Sequence, residues 1–209
     1  MSTKHLPRIV YLVDTSGSMG WALSLVEGKL QQAKAALKNT KPHHFGLATF
    51  STYYNGIDWD SDVYLTRNGG DTLLYGSCIQ LIQELTQRYT AADKILICVI
   101  TDGGDSSLDS RATASAVAAE VGVAEDILGW DFLFLGTNTN AYEVGQRMGV
   151  KGSKTLGFAN SKDGFDRMLD SLADVGTRWL NGLVGHDDSF FTEDVRSQQE
   201  KLGAISFSS

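Results

Sequence analysis

The stretch Arg8–Ser18 reads RIVYLVDTSGS: a short run that is almost wholly apolar, then Asp14, then hydroxyls around a glycine. A brief, β-branched, near-continuous apolar run predicts a strand buried on both faces. Beyond the polar loop DTSGSMG, Leu23, Val26, Leu30, Ala33 and Leu37 recur at steps of three and four, which is one face of a helix. Strand, polar loop and helix form the unit from which the rest of the chain can be read.

Working outward, His44–Phe50 and Tyr53–Trp59 read as two strands close enough to form a hairpin, and Val63–Leu65 as a further short strand. The glycine loop Asn68–Thr72 introduces a second helix with apolar positions Leu74, Cys78, Leu81, Leu85 and Tyr89. Ile95–Ile100 (ILICVI) is the most apolar strand and runs into TDGGDSS. An Ala-rich helix is expected from about Arg111 to Val123, a strand at Asp131–Leu135, then GTNTN and a short helix near Ala141–Met148. Ser161–Leu180 closes the pattern as a helix with Phe165, Met168, Leu172, Val175 and Trp179 on one face.

Strands alternating with helices predict βαβ units. The expected fold is α/β, a Rossmann-like three-layer sandwich: a mostly parallel central sheet with one antiparallel edge strand and helices on both faces. Residues 1–182 are assigned to this domain. Residues 183–209 are read as a C-terminal tail, carrying Phe190, Phe191 and Phe207, that packs on the domain or extends from it.

Composition agrees with one globular domain plus a short appendage. The 209 residues are 42% hydrophobic and 21% charged, enough to bury a core. Eighteen Lys+Arg against 25 Asp+Glu give a formal charge of -7, which disfavours nucleic acid and leaves cations open. Cys78 and Cys98 are the only cysteines, both in apolar stretches, so free buried thiols are expected rather than a disulfide framework or a Cys-based zinc site. No signal peptide is visible, and no apolar run approaches the roughly 18 residues that span a membrane. The expectation is a cytoplasmic protein without membrane association.

The chemistry-bearing residues fall in loops. Strands ending at Val13, Ile100 and Leu135 each run directly into a polar loop, and a parallel sheet gathers such loops at its carboxyl edge, where open α/β folds bind ligands. Taken singly, Asp14, Ser16 and Ser18 read as helix N-caps, as does Thr72. Asp102, at the end of the most apolar strand, is a charge that needs a partner. Taken together, two carboxylates and three hydroxyls are hard oxygen donors that suit Mg²⁺, with Mn²⁺ or Ca²⁺ as alternatives, and disfavour zinc. No P-loop, dinucleotide fingerprint or nucleophile elbow occurs. A haloacid-dehalogenase-type phosphatase would want an acid where Ser16 stands.

The order Asp14-x-Ser16-x-Ser18, then Thr72, then Asp102 resembles the von Willebrand factor type A (VWA) domain with a metal-ion-dependent adhesion site. The resemblance covers about residues 7–180. Phe132–Met148 and the run GVKGSKTLGF are similar to stretches in stand-alone bacterial and phage members. Those members often carry an Asp after the fifth strand where this chain has Asn138-Thr139-Asn140-Ala141, and Asn138 or Asn140 is read here as a helix cap. The resemblance implies that Ser16 and Ser18 bind the metal directly and Thr72 directly or through water. Asp14 and Asp102 would act mostly through water. It implies a metal-dependent protein–protein interaction module, not an enzyme, that binds a partner's Asp or Glu. Such a partner could belong to an AAA+ ATPase system or to a phage or other assembly. One alternative is a structural assembly component with a vestigial metal site. A lower one is a metal-assisted phosphohydrolase using Asp14.

Overall fold

The computed structural model describes residues 5–106, 112–137 and 141–204. In chain order the elements are β1 (Arg8–Asp14), α1 (Leu23–Lys38), β2 (His44–Phe50), β3 (Tyr54–Trp59), α2 (Leu74–Thr86) and β4 (Ile95–Thr101). They are followed by α3 (Ala114–Gly122), β5 (Asp131–Thr137), α4 (Ala141–Arg147), β6 (Thr155–Phe158), α5 (Lys162–Leu180) and α6 (Glu193–Lys201). The strands form one sheet in the order β3-β2-β1-β4-β5-β6. Only β2 and β3 pair antiparallel, at one edge, and the other pairings are parallel. This is the mostly parallel α/β sandwich expected from the sequence.

Alternation within β1 explains why its sequence is apolar throughout. Ile9, Tyr11 and Val13 pack on one face with Val26 and Leu30 of α1 and with Phe165, Met168 and Leu172 of α5. Val10 and Leu12 pack on the other with Leu74, Cys78 and Leu81 of α2 and with Val117 and Val121 of α3. A strand covered on both sides has no solvent-facing register, so no polar alternation survives in it. Cys78 and Cys98 are buried and free.

Several segments differ from their sequence reading. Val63–Leu65 is not a strand. Both end residues are buried, but the Val63 amide donates to Gln31 Oε1 (2.9 Å) and the Leu65 amide to Glu27 Oε2 (2.7 Å), so side chains of α1 take the place of a strand partner. β6 went unanticipated, because four residues including a glycine carry too little pattern. Tyr89 lies beyond the end of α2, where it packs edge-to-face against Trp59 and lies beneath the Arg8 guanidinium. The segment after α5 is more structured than its polarity suggests. Phe190 and Phe191 enter the same core as α1 and α5. In α6, Gln199 accepts from the Ala159 amide and donates to the Gly164 carbonyl, so both ends of a buried amide are satisfied. Asn138, Asn140 and Phe207 lie outside the described residues. Among those described, no helix is long and apolar enough to cross a membrane.

Candidate metal centre

β1 ends at Asp14, which the register sets beside Phe50 at the end of β2. The next residue fastens the loop: the Thr15 amide and hydroxyl both donate to the Phe50 carbonyl, at 2.7 and 3.0 Å. The chain then turns back on the Asp14 carboxylate. Oδ1 accepts from the Ser16 amide (2.8 Å), and Oδ2 accepts from the hydroxyl of Thr101, the last residue of β4 (2.7 Å). Ser16 Oγ lies 3.2 Å from Ser18 Oγ, and Ser18 Oγ donates to Asp102 Oδ1 at 2.7 Å. The Asp102 carbonyl accepts from the hydroxyl of Thr137 at the end of β5 (2.7 Å). The carboxyl ends of three adjacent strands are thereby laced into one network.

Four of the five candidate donors, Asp14, Ser16, Ser18 and Asp102, belong to this network. Thr72 stands on the adjoining loop and is 8% exposed. Its amide donates to Ser106 Oγ (2.8 Å) and its carbonyl accepts from the Ser106 amide (3.0 Å), which ties it to the loop after β4. Among the described residues no hydrogen bond joins its hydroxyl to the other four. The capping role that each loop suggested by itself is not what these side chains do. The cap positions of α1 and α2 are Ala22 and Leu73, neither with a side-chain cap. The first turn of α2 is instead bonded from Asp105, whose carboxylate accepts from the Tyr75 amide (2.9 Å). Thr101, Ser106 and Thr137 were not singled out from sequence, and the hydroxyl at the last position of a buried strand is the one signal that marks Thr101 and Thr137.

The electrostatics are one-sided. Burial pushes the Asp14 carboxyl above the usual carboxylate range; hydrogen bonds from Ser16 and Thr101 pull back without cancelling it, and the charge of Asp102 adds to the rise. Burial also raises Asp102, against the bond from Ser18. Among the described residues no Lys or Arg is ion-paired with either. Two neighbouring carboxylates without a cation are costly to keep ionised, and a divalent cation would relieve both. The donor set fits one: hard oxygens from hydroxyls and carboxylates, with Ser18 exposed and Asp14 and Ser16 buried. No group of three His, Cys, Asp or Glu suited to a metal occurs among the described residues. Any cation here would therefore depend on the serine hydroxyls. Trp21, 51% exposed at the end of the same turn, and Tyr53, 58% exposed in the turn after β2, give this edge an aromatic rim.

No protein-family model matches the sequence, and no curated protein matches it. Solved structures do resemble the fold. The PilB minor pilin from Streptococcus sanguinis superposes with a TM-score of 0.61 at 14% identity, over 88% of this chain and 64% of that one. A von Willebrand factor type A protein from Catenulispora acidiphila gives a TM-score of 0.55 at 14% identity, over 83% of this chain and 43% of that one. The mussel byssus proximal thread matrix protein 1, in a structure with a zinc-occupied MIDAS motif, gives 0.53 at 11% identity, over 83% of this chain and 46% of that one. The chain thus spans less than two thirds of each. At these identities the likeness establishes the fold: it is VWA-like.

Proposed function

We propose that the protein is a non-enzymatic, metal-dependent interaction module that binds a carboxylate of a protein partner at the carboxyl edge of its sheet. The observation that carries this reading is the pair of buried carboxylates, Asp14 and Asp102, linked through Ser16 and Ser18 and ion-paired with no basic residue among those described. Ser16 and Ser18 would hold the cation through neutral hydroxyls, and Thr72 would join them from the adjoining loop. Asp14 and Asp102 would orient that shell and balance its charge. A divalent cation held mainly by neutral donors remains electron-poor and attracts an external carboxylate; Mg²⁺ fits these hard donors, with Mn²⁺ or Ca²⁺ as substitutes. The zinc-occupied MIDAS motif in the byssus protein supports metal binding on this type of fold. The half-exposed Trp21 and Tyr53 beside the site suit a protein partner, since exposed aromatics are common at interfaces.

The test is capture of partners from source-cell lysate by the purified protein in Mg²⁺, in excess EDTA, and with a folded Asp14→Ala variant. A partner held only in Mg²⁺ and lost in both controls is the expected result. A partner retained in all three would favour a second reading, an assembly component that does not use the metal, which the likeness to a minor pilin supports.

A further inference from the structure

The donor turn carries a basic side chain that the metal reading leaves unused. Arg67 belongs to the loop that leads to Thr72. That loop is fastened to the donor loop by Asn68, whose amide donates to the Thr15 carbonyl and whose Nδ2 donates to Thr15 Oγ1, both at 3.1 Å. Arg67 itself donates from Nη2 to the Gly17 carbonyl at 3.1 Å. A Cβ on Gly20 would stand 2.6 Å from Arg67 Nε and 2.9 Å from its Cζ, so the glycine makes room for the guanidinium. Gly17 and Gly20 flank Ser18, and the arginine therefore lies against the very turn that presents the donor hydroxyls.

Arg67 is exposed, and among the described residues no carboxylate pairs with it, although the chain holds 25 acidic residues. Among the described residues the Asp14 and Asp102 carboxylates are bonded by Ser16, Thr101 and Ser18 and not by Arg67. A guanidinium offers five donors in a fork that matches a carboxylate, and one of the five is spent on Gly17.

We infer that Arg67 is a second anion contact of this face, so that the ligand is an acidic peptide segment with two neighbouring carboxylates, one for the cation and one for the guanidinium. The inference rests on the metal-site reading above. It makes Arg67 a specificity-determining residue: it selects between acidic segments and takes no part in holding the metal. An exposed charge of this kind sets preference and salt dependence more than total affinity.

The test uses two fluorescein-labelled peptides, Gly-Gly-Asp-Asp-Gly-Gly and Gly-Gly-Asp-Asn-Gly-Gly, titrated by fluorescence anisotropy with wild type, Arg67→Gln and Asp14→Ala in Mg²⁺ and in EDTA. Mg²⁺ binding is measured separately by calorimetry. Wild type in Mg²⁺ is expected to prefer the two-acid peptide by about fivefold, a preference lost in Arg67→Gln while Mg²⁺ affinity stays as in wild type. Arg67→Lys, which keeps the charge without the fork, should keep part of the preference. An equal preference in Arg67→Gln, or none in wild type, overturns the inference and leaves the metal reading standing. Loss of Mg²⁺ binding in Arg67→Gln overturns this inference alone; no Mg²⁺ binding by wild type in the calorimeter, or peptide binding indifferent to both EDTA and Asp14→Ala, overturns the metal reading and this inference with it.

Discussion

Two pairs of buried carboxylates lie at opposite ends of the sheet, and among the described residues only one of them is completed by a cation of the chain itself. At the amino end, Lys154 is wholly buried between Glu125 Oε1 (2.7 Å) and Asp131 Oδ1 (2.9 Å). The same carboxylates take further donors: Asp131 Oδ2 accepts from the Trp179 indole N–H at 2.7 Å, and Glu125 Oε1, already on Lys154, also accepts from the Phe132 amide at 3.1 Å. At the carboxyl end, among the described residues, Asp14 and Asp102 receive only hydroxyls and amides. A cluster that contains its own cation is closed and structural. One that gathers acids and hydroxyls without a cation among the described residues, with an exposed serine at its rim, is in the proposed reading arranged for an ion from outside.

The largest way to break this contrast is to remove the internal cation. Lys154→Met strands two buried carboxylates and should cost about 3–5 kcal/mol in urea unfolding, by the same amount in Mg²⁺ and in EDTA. A cost below about 1 kcal/mol would mean that the amino-end cluster is not held by charge. Next in size is the effect of metal at the other end. At a hundredfold excess of Mg²⁺ over its dissociation constant, wild type should gain about 2.7 kcal/mol. Asp14→Ala should gain nothing, and Lys154→Met should keep the whole increment.

Acid–base behaviour sharpens the contrast further. Asp14 and Asp102 hold their protons more tightly folded than unfolded. Without metal, their contribution favours the fold below the ordinary carboxylate range and is lost as pH rises through their raised folded values. Asp102→Asn keeps an acceptor for Ser18 and removes one charge. Its melting temperature in EDTA should therefore gain on that of wild type as pH rises through this window, and a constant difference would contradict the argument. The smallest effect belongs to His186, whose Nδ1 lies 3.4 Å from Lys154 Nζ and whose ring is partly exposed. His186→Ala should cost under about 0.5 kcal/mol, because the two carboxylates already complete the lysine.

The same contrast governs what could be read in advance. β1, β4 and β5 are covered on both faces, so burial left them as unbroken apolar runs, and the loops at their carboxyl ends stood out by contrast. Asp14, Ser16, Ser18 and Asp102 lie in those loops within a few residues of a strand end. Thr101 and Thr137 were hidden because a threonine at the end of a β-branched run looks like one more strand residue. The amino-end cluster was not legible at all. Lys154 is 29 residues from Glu125 and 23 from Asp131, and each by itself resembles an ordinary surface charge. Arg67 was overlooked for a similar reason: its proximity to Gly17 spans 50 residues and depends on how Asn68 fastens one loop to another.

The central claim, that the carboxyl-edge loops hold a divalent cation through serine hydroxyls beside two carboxylates, is tested most directly by anomalous diffraction from crystals grown with Mn²⁺. The account predicts one strong peak within bonding distance of Ser16 Oγ and Ser18 Oγ, flanked by Asp14 and Asp102 and absent in crystals of Asp14→Ala. A well-ordered donor loop with no peak, at Mn²⁺ concentrations that saturate ordinary oxygen sites, would contradict it.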